Sequence, residues 1–395
     1  MHYDFERVYN RRKEGASKWL AVNEWLEDPE EDIIPMTVAD MDFATPPMIK
    51  EALKKYIDSH VLGYTMPTVQ YLQAVQDFYR KHHHVNIEHN WITTTAGVVP
   101  ALATAVRAFT NPNDAIIVMP PIYPPFYEVI ETQGRKIARC PLILKDDHYE
   151  IDFERFEALA ANNETKMFMM CSPHNPGGRV WTRDELQRIA EIVIKYQLFL
   201  VSDEIHCDLV HEGHTHHVAF SIDERLKDRS IVCSAASKTF NIAGLQCSNI
   251  IIPNVQNLDI FLAEHARTGA QGANVLGLIA TQTAYQEGLP WQKASQKVLA
   301  QNLQLVYEFF RQWDERWLVM EQESSFLAWI GFEKITHDAE TFLSKMMKDA
   351  HFYVNWGSDY GEEGKYFIRI NVGLPTAALQ KNLEHLKENF SLDEF

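Results

Sequence analysis

The chain has 395 residues, 46% hydrophobic and 23% charged, the balance of an ordinary globular protein with room for roughly two to three domains. Its formal net charge of −17 argues against a nucleic-acid backbone or an anionic membrane surface as main partner. No apolar run approaches the roughly 20 residues of a membrane span, and Met1 to Lys13 is charged, without the apolar stretch of a secretory signal.

In chain order, Asp4 to Trp25 reads as a polar arm with helical stretches, broken by Asp28-Pro29-Glu30-Glu31-Asp32. Val38 to Phe43 reads as an extended segment ended by Pro46-Pro47. Helical patterns follow at about 47–59 and 69–82, with a turn at Gly63-Tyr64-Thr65 between them. His82-His83-His84 then falls on a solvated turn. From Trp91 to about Gln286, strands alternate with helices, the pattern of successive βα units. Gly288-Leu289-Pro290 marks a boundary, and a helix over Trp291 to Arg316 leads into a smaller α+β region. The layout predicts one large α/β domain and a small domain built from both chain ends.

Three stretches of the alternating region carry chemistry. They are Ser172-Pro173-His174-Asn175-Pro176-Gly177-Gly178, Ser202-Asp203-Glu204-Ile205-His206 and Ser237-Lys238-Thr239-Phe240-Asn241. Each follows an apolar run that reads as a buried strand: Met167 to Cys171, Leu198 to Val201, and Ile231 to Cys233. In an open parallel sheet the carboxyl ends of the strands line the ligand crevice, so Asn175, Asp203 and Lys238 are expected at one rim. Taken singly, Lys238 reads as a surface lysine and Asp203 as a helix cap. Together, an amide, a carboxylate and an amine suit pyridoxal phosphate, whose aldehyde needs an amine and whose ring nitrogen needs an anionic partner.

Neighbouring segments extend this rim. Thr182-Arg183-Asp184-Glu185 is a capping box, which places Pro173 to Arg179 in the loop before a helix. Trp91 to Gly97 reads as strand then turn, and Val98 to Phe109 as a helix with Pro100 in its first turn. The free amides of Gly97 and Val98 are assigned to the cofactor phosphate, although Gly97 alone also fits an ordinary helix start. Neither a P-loop nor a G-x-G-x-x-G fingerprint occurs. Tyr123 follows the strand Ala115 to Met119 and is placed to stack on a pyridine ring; alone, it reads as a loop tyrosine packed on prolines. Five scattered cysteines without a Cys-x-x-Cys pair predict reduced core thiols in a cytosolic compartment. His211, His214, His216 and His217 flank Gly213 and read as a loop, so no metal site is expected.

Several motifs resemble one family. Val-Ala-Asp-Met-Asp-Phe (38–43), Gly-Tyr-Thr (63–65), Ser-Pro-His-Asn-Pro-Gly-Gly-Arg-Val-Trp (172–181), Ser-Asp-Glu-Ile-His (202–206), Ser-Lys-Thr-Phe-Asn-Ile-Ala-Gly-Leu (237–245) and Phe-Ile-Arg-Ile-Asn (367–371) look like the MalY/PatB type of PLP-dependent C–S lyase. These are cystathionine β-lyases within the aspartate aminotransferase superfamily. The resemblance implies the PLP-transferase fold type I. That is a large domain (46–287) with a mostly parallel seven-stranded sheet flanked by helices, and a small α+β domain from 1–45 and 288–395.

The resemblance also implies roles. Lys238 would bond the cofactor aldehyde, Asp203 would pair with the ring nitrogen, and Asn175 would bond the ring 3-oxygen. His206 stands near that oxygen, where many superfamily members carry a tyrosine, and Ser237 would contact the phosphate. Tyr64 would reach the phosphate of the neighbouring subunit's cofactor, implying a homodimer with shared sites. Arg369 would grip the substrate α-carboxylate, and the backbone near Ala39 would close that end of the site. Gln246, Ala236 and Thr37 depart from the common pattern; Thr37, in place of an aromatic residue, bears on the shape of the substrate pocket. The implied reaction is α,β-elimination of cystathionine or a related cysteine S-conjugate to a thiol, pyruvate and ammonia. Amino transfer on the same scaffold is the alternative, and a regulatory partner-binding role the second.

Overall fold

The central sheet grows from apolar runs short enough to be strands and covered on both faces. A computed structural model describes residues 3–25, 33–270 and 272–395. Its strands are β1 (Ile92–Thr95), β2 (Ala115–Val118), β3 (Lys136–Arg139), a separate hairpin β4 (Ile143–Lys145) and β5 (His148–Glu150), then β6 (Thr165–Cys171), β7 (Phe199–Asp203), β8 (Ser230–Ser234) and β9 (Ser248–Ile251). Seven of them form one sheet in the order β1-β9-β8-β7-β6-β2-β3. All neighbours from β3 to β8 run parallel, and β9 is antiparallel to both β8 and β1.

Alternation along β6 shows why the run is apolar throughout. Met167, Met169 and Cys171 pack with Val98, Leu102 and Val106 on one face, while Phe168 and Met170 join the other core. A parallel strand with helices over both faces needs apolar side chains at every position. The register sets Cys171 opposite Asp203, and Asp203 opposite Cys233. Three carboxyl ends therefore line up, and the loops that follow them share one rim.

The helix Val98–Phe109 and the helix Arg183–Lys195 form as expected, the latter with both halves of the Thr182–Glu185 capping box. Pro47–Ser59 is helical. The long helix runs Leu289–Trp313 and leads to a second sheet, β10 (Leu318–Met320), β11 (Leu327–Gly331), β12 (Asn355–Trp356) and β13 (Phe367–Asn371), in the order β10-β11-β13-β12 and antiparallel throughout.

Four expectations need correction. The segment Val38 to Phe43 is bent rather than extended, and Val38 adopts φ 53°, a left-handed conformation that a β-branched residue tolerates only when its surroundings hold it. The Asn371 Nδ2 does so, donating to the carbonyls of Val38 and Asp40 at 2.7 Å each. Gly63 to Thr65 makes no regular turn; it is irregular chain in which Thr65 Oγ1 donates to the Gly63 carbonyl. The second helix stops as an α-helix at Phe78 and continues as a π turn over Tyr79–His83. Because that turn is wider, His83 points inward, with its side chain 5% exposed against Asp208, instead of lying on a solvated turn. The break at Asp28 to Asp32 lies outside the described residues. All five cysteines are buried and free.

Candidate active site

A cavity of about 550 Å³ opens at the carboxyl rim of the large sheet. Gly97, Val98, Tyr123, Asn175, Asp203, His206, Ser237, Lys238, Ala39 and Arg369 all line it. Tyr64 does not: it is fully exposed on the loop before the helix Val69–Phe78.

Lys238 sits in the short helix Ala236–Thr239 that follows β8, and its Nζ donates to the Ala39 carbonyl at 2.8 Å. Burial, reinforced by the positive charge of Arg369, brings its ammonium down to about 8. Asp203 ends β7, fully enclosed, and burial pushes its carboxyl up to about 7 despite the Ile205 amide at 3.1 Å and the charge of Lys238. A carboxylate so placed is short of a cationic partner. His206 Nδ1 lies 3.1 Å from Ser325 Oγ, and burial, then the charges of Lys238 and Arg369, hold its imidazole neutral, down at about 3.

The loop bearing Asn175 is fastened on both sides. Arg179 bridges Glu185 and Glu323 at 3.1 Å each, and the Val180 amide donates to Glu323 at 2.6 Å. Gly178 at φ 67° has no room for a side chain, since a Cβ there would meet Gln322 Oε1 at 1.8 Å. Asn175 Oδ1 then accepts from Arg369 Nη1 at 3.2 Å.

Arg369 comes from the second sheet, on β13, and crosses to this rim. Asn355 Oδ1, opposite it on β12, accepts from Nη2 at 2.7 Å, and the guanidinium lies over the Tyr360 ring at 5.0 Å. Its buried Nε has no partner among the described residues. A guanidinium held on one edge and unpaired at another is suited to a carboxylate. At the opposite end, the helix Val98–Phe109 starts at Gly97, φ 127°, with no side-chain cap, which leaves amides free for an anion.

The residues present therefore fit a planar heterocycle bearing an aldehyde and a phosphate: an amine, an anion for a ring nitrogen, uncapped amides, and the face of Tyr123. Sequence reasoning missed Asn355, Ser325 and Tyr360, and gave Asn241, though part of the Ser237 stretch, no role. Asn355 meets Arg369 only through strand pairing, and Asn241 ties the Met41 and Phe43 carbonyls to the rim at 3.0 and 2.9 Å. Nothing in their local patterns signals these contacts. The cavity wall also includes Gln246, while Thr37 lines a smaller adjoining cavity of about 240 Å³ that shares Val38, Asn355 and Asp359 with the first.

A doubly covered parallel sheet with a buried lysine and carboxylate at its carboxyl rim, met by an arginine from a second sheet, defines a class. The chain belongs to the aminotransferase class I and II family, whose pattern matches residues 31–386. Within it, the chain is 38% identical over 360 residues to cystathionine beta-lyase PatB of Bacillus subtilis (strain 168), covering 91% of this chain and 93% of that protein. It is 30% identical to protein MalY of Escherichia coli (strain K12), over 97% of this chain and 98% of that one. Among solved structures, cystalysin from Treponema denticola, which contains a pyridoxal 5'-phosphate cofactor, superposes with a TM-score of 0.97 at 40% identity, covering 98% and 99% of the two chains.

Proposed function

We infer that the protein uses pyridoxal 5'-phosphate to eliminate a thiol from cystathionine or a related cysteine S-conjugate, releasing pyruvate and ammonia. One observation carries the reading: Lys238, with its ammonium brought down to about 8, shares one cavity with Asp203 and Arg369. Cystathionine beta-lyase PatB, similar over nearly the whole chain, supports elimination as the outcome, and cystalysin supports the cofactor.

Lys238 would hold the cofactor aldehyde, Asp203 its ring nitrogen, Asn175 and His206 the ring-oxygen edge, and Gly97, Val98 and Ser237 the phosphate, with Tyr123 against the ring. When bound, the cofactor draws electron density from the substrate Cα into its ring. Arg369, with Asn355 and Asn175 fixing two of its nitrogens, grips the α-carboxylate and so orients the Cα–H bond. Lys238 would take the Cα proton as general base, its ammonium brought down to about 8 by burial and then the charge of Arg369. The Cα–H electrons become the Cα=Cβ bond, the C–S bond breaks, and the thiolate leaves with the sulfur electrons. Water then converts the remaining aminoacrylate to pyruvate and ammonia.

The same reading divides the chain into a large domain (46–287), which holds the seven-stranded sheet, and a small one from 1–45 and 288–395. It also makes the protein a homodimer. Tyr64 is exposed beside Val61, Leu62, Met66 and Val69, an apolar strip at 60–84% exposure that a second copy would cover. A cytoplasmic location is supported by five free buried thiols. No helix of the described residues is long and apolar enough to cross a membrane.

Incubated with cystathionine, the holoenzyme is expected to release pyruvate and a free thiol in equal amounts. Lys238→Ala should lose both, together with the visible absorption of the lysine-bound cofactor. Amino transfer to a 2-oxo acid outpacing pyruvate release would assign the aminotransferase reaction instead.

A further inference from the structure

A second cavity, about 630 Å³, is lined by none of the residues of the first. His83, Cys207 and Asp208 meet on its wall, their ligating atoms all within 4.8 Å of one another. We propose that His83 Nε2, Cys207 Sγ and Asp208 Oδ1 form a binding site for a late transition-metal ion, best suited to Zn²⁺, with an open fourth position facing this cavity.

The geometry is that of a ligand triangle. His83 Nε2 lies 2.8 Å from Asp208 Oδ1 and 3.8 Å from Cys207 Sγ, and Sγ lies 3.5 Å from the same carboxylate oxygen. A point equidistant from the three atoms is about 2.0 Å from each, against zinc bond lengths of about 2.0–2.2 Å to nitrogen and oxygen and about 2.3 Å to sulfur. A donor set of one imidazole, one thiol and one carboxylate suits zinc and its neighbours, while magnesium and calcium require oxygen donors throughout. A plain His83–Asp208 ion pair would account for the 2.8 Å contact but gives no reason for the thiol to converge on it.

The surroundings hold the ligands in place. Asp208 Oδ2 accepts from Thr239 Oγ1 at 3.1 Å, leaving Oδ1 for the ion, and the Asp208 carbonyl accepts from Gln292 and Gln296 at 2.6 and 3.1 Å. Such outer contacts orient metal-ligating carboxylates. Gln292 Oε1, buried on the same wall, has no partner among the described residues and would accept from a metal-bound water. The exposed His84 and His214 on the rim of the cavity mark the way in from solvent.

Three protein ligands and an open position are the pattern of reactive rather than structural zinc sites. On loading, the Cys207 S–H bond breaks and a sulfur–metal bond forms, with the proton passing to solvent.

Holoenzyme freed of metal by chelation would be titrated with Zn²⁺ by calorimetry and with Co²⁺ by near-ultraviolet absorption. The expected result is one tight equivalent per chain, proton release on binding, and a thiolate-to-cobalt charge-transfer band. Cys207→Ser should abolish the band and weaken zinc binding at least about tenfold, while Cys140→Ser should leave both intact. Cobalt bound without the band, or zinc affinity unchanged in Cys207→Ser, overturns the site. If Cys207→Ser fails to fold, the cobalt spectrum of the unsubstituted protein decides alone: a band supports thiolate ligation, and its absence ends the proposal.

Discussion

At the scale of the residue, two titrations oppose each other across the rim. Lys238 is brought down to about 8 and Asp203 up to about 7, burial being the leading cause in both. Before cofactor binds, raising the pH frees the amine above about 8 and ionises the carboxylate above about 7, so both changes favour cofactor capture. The uptake rate of the stripped chain, followed by absorbance, should therefore rise with pH and level off above about 8, with slope approaching tenfold per pH unit where the amine is mostly protonated. A flat profile from pH 6 to 9 would show that neither group limits capture. For stability the sign at Asp203 is the reverse. Its folded pKa lies above the ordinary carboxylate value, so the cofactor-free fold loses stability as pH rises toward about 7. A protonated ring nitrogen beside Asp203 would lift that penalty.

Individual elements matter through how they end. The capping box at Thr182 does more than start a helix: Glu185, its other half, also bridges Arg179, and Arg179 anchors the loop that carries Asn175. Thr182→Ala should cost about 1 kcal/mol, within a range of about 0.5–2, read as a lower urea midpoint with unchanged m-value. Because Arg179 keeps its second bridge to Glu323, kcat should change little. The capping box, the Pro100 helix start and the β6 apolar run were legible because each is a local pattern with a local cause. The π turn at Tyr79–His83 was not. Its sequence, Tyr79 to His83, holds no glycine or proline to mark a break from the α-helix before it, and His83 meets Asp208, 125 residues away.

At the scale of the whole molecule, the site belongs to two sheets and, on the reading proposed here, to two chains. Tyr64 takes no part in its own chain's cavity. If it serves a neighbour's cofactor, a chain with Lys238→Ala and a chain with Tyr64→Ala should complement when mixed, since one site of each heterodimer is then intact. Complete exchange should restore about a quarter of wild-type elimination activity, the statistical share for a two-fold dimer. No recovery on mixing, with heterodimers shown to form, would place Tyr64 outside the site.

What the sequence determined by itself was local or additive: the strand runs, the capped helices, the order of amide, carboxylate and lysine, and thus the cofactor class. Strand alternation and chain order are enough to send Asn175, Asp203 and Lys238 to one rim, because parallel connections leave little freedom there. Only the tertiary structure decided which groups meet across long separations. Asn355 beside Arg369, Asn371 holding the left-handed Val38, the Ala39 carbonyl on Lys238 and the convergence of His83 with Cys207 all arise from packing between distant segments. No periodicity encodes such meetings, because their energies belong to pairs of surfaces rather than to either strand or helix alone.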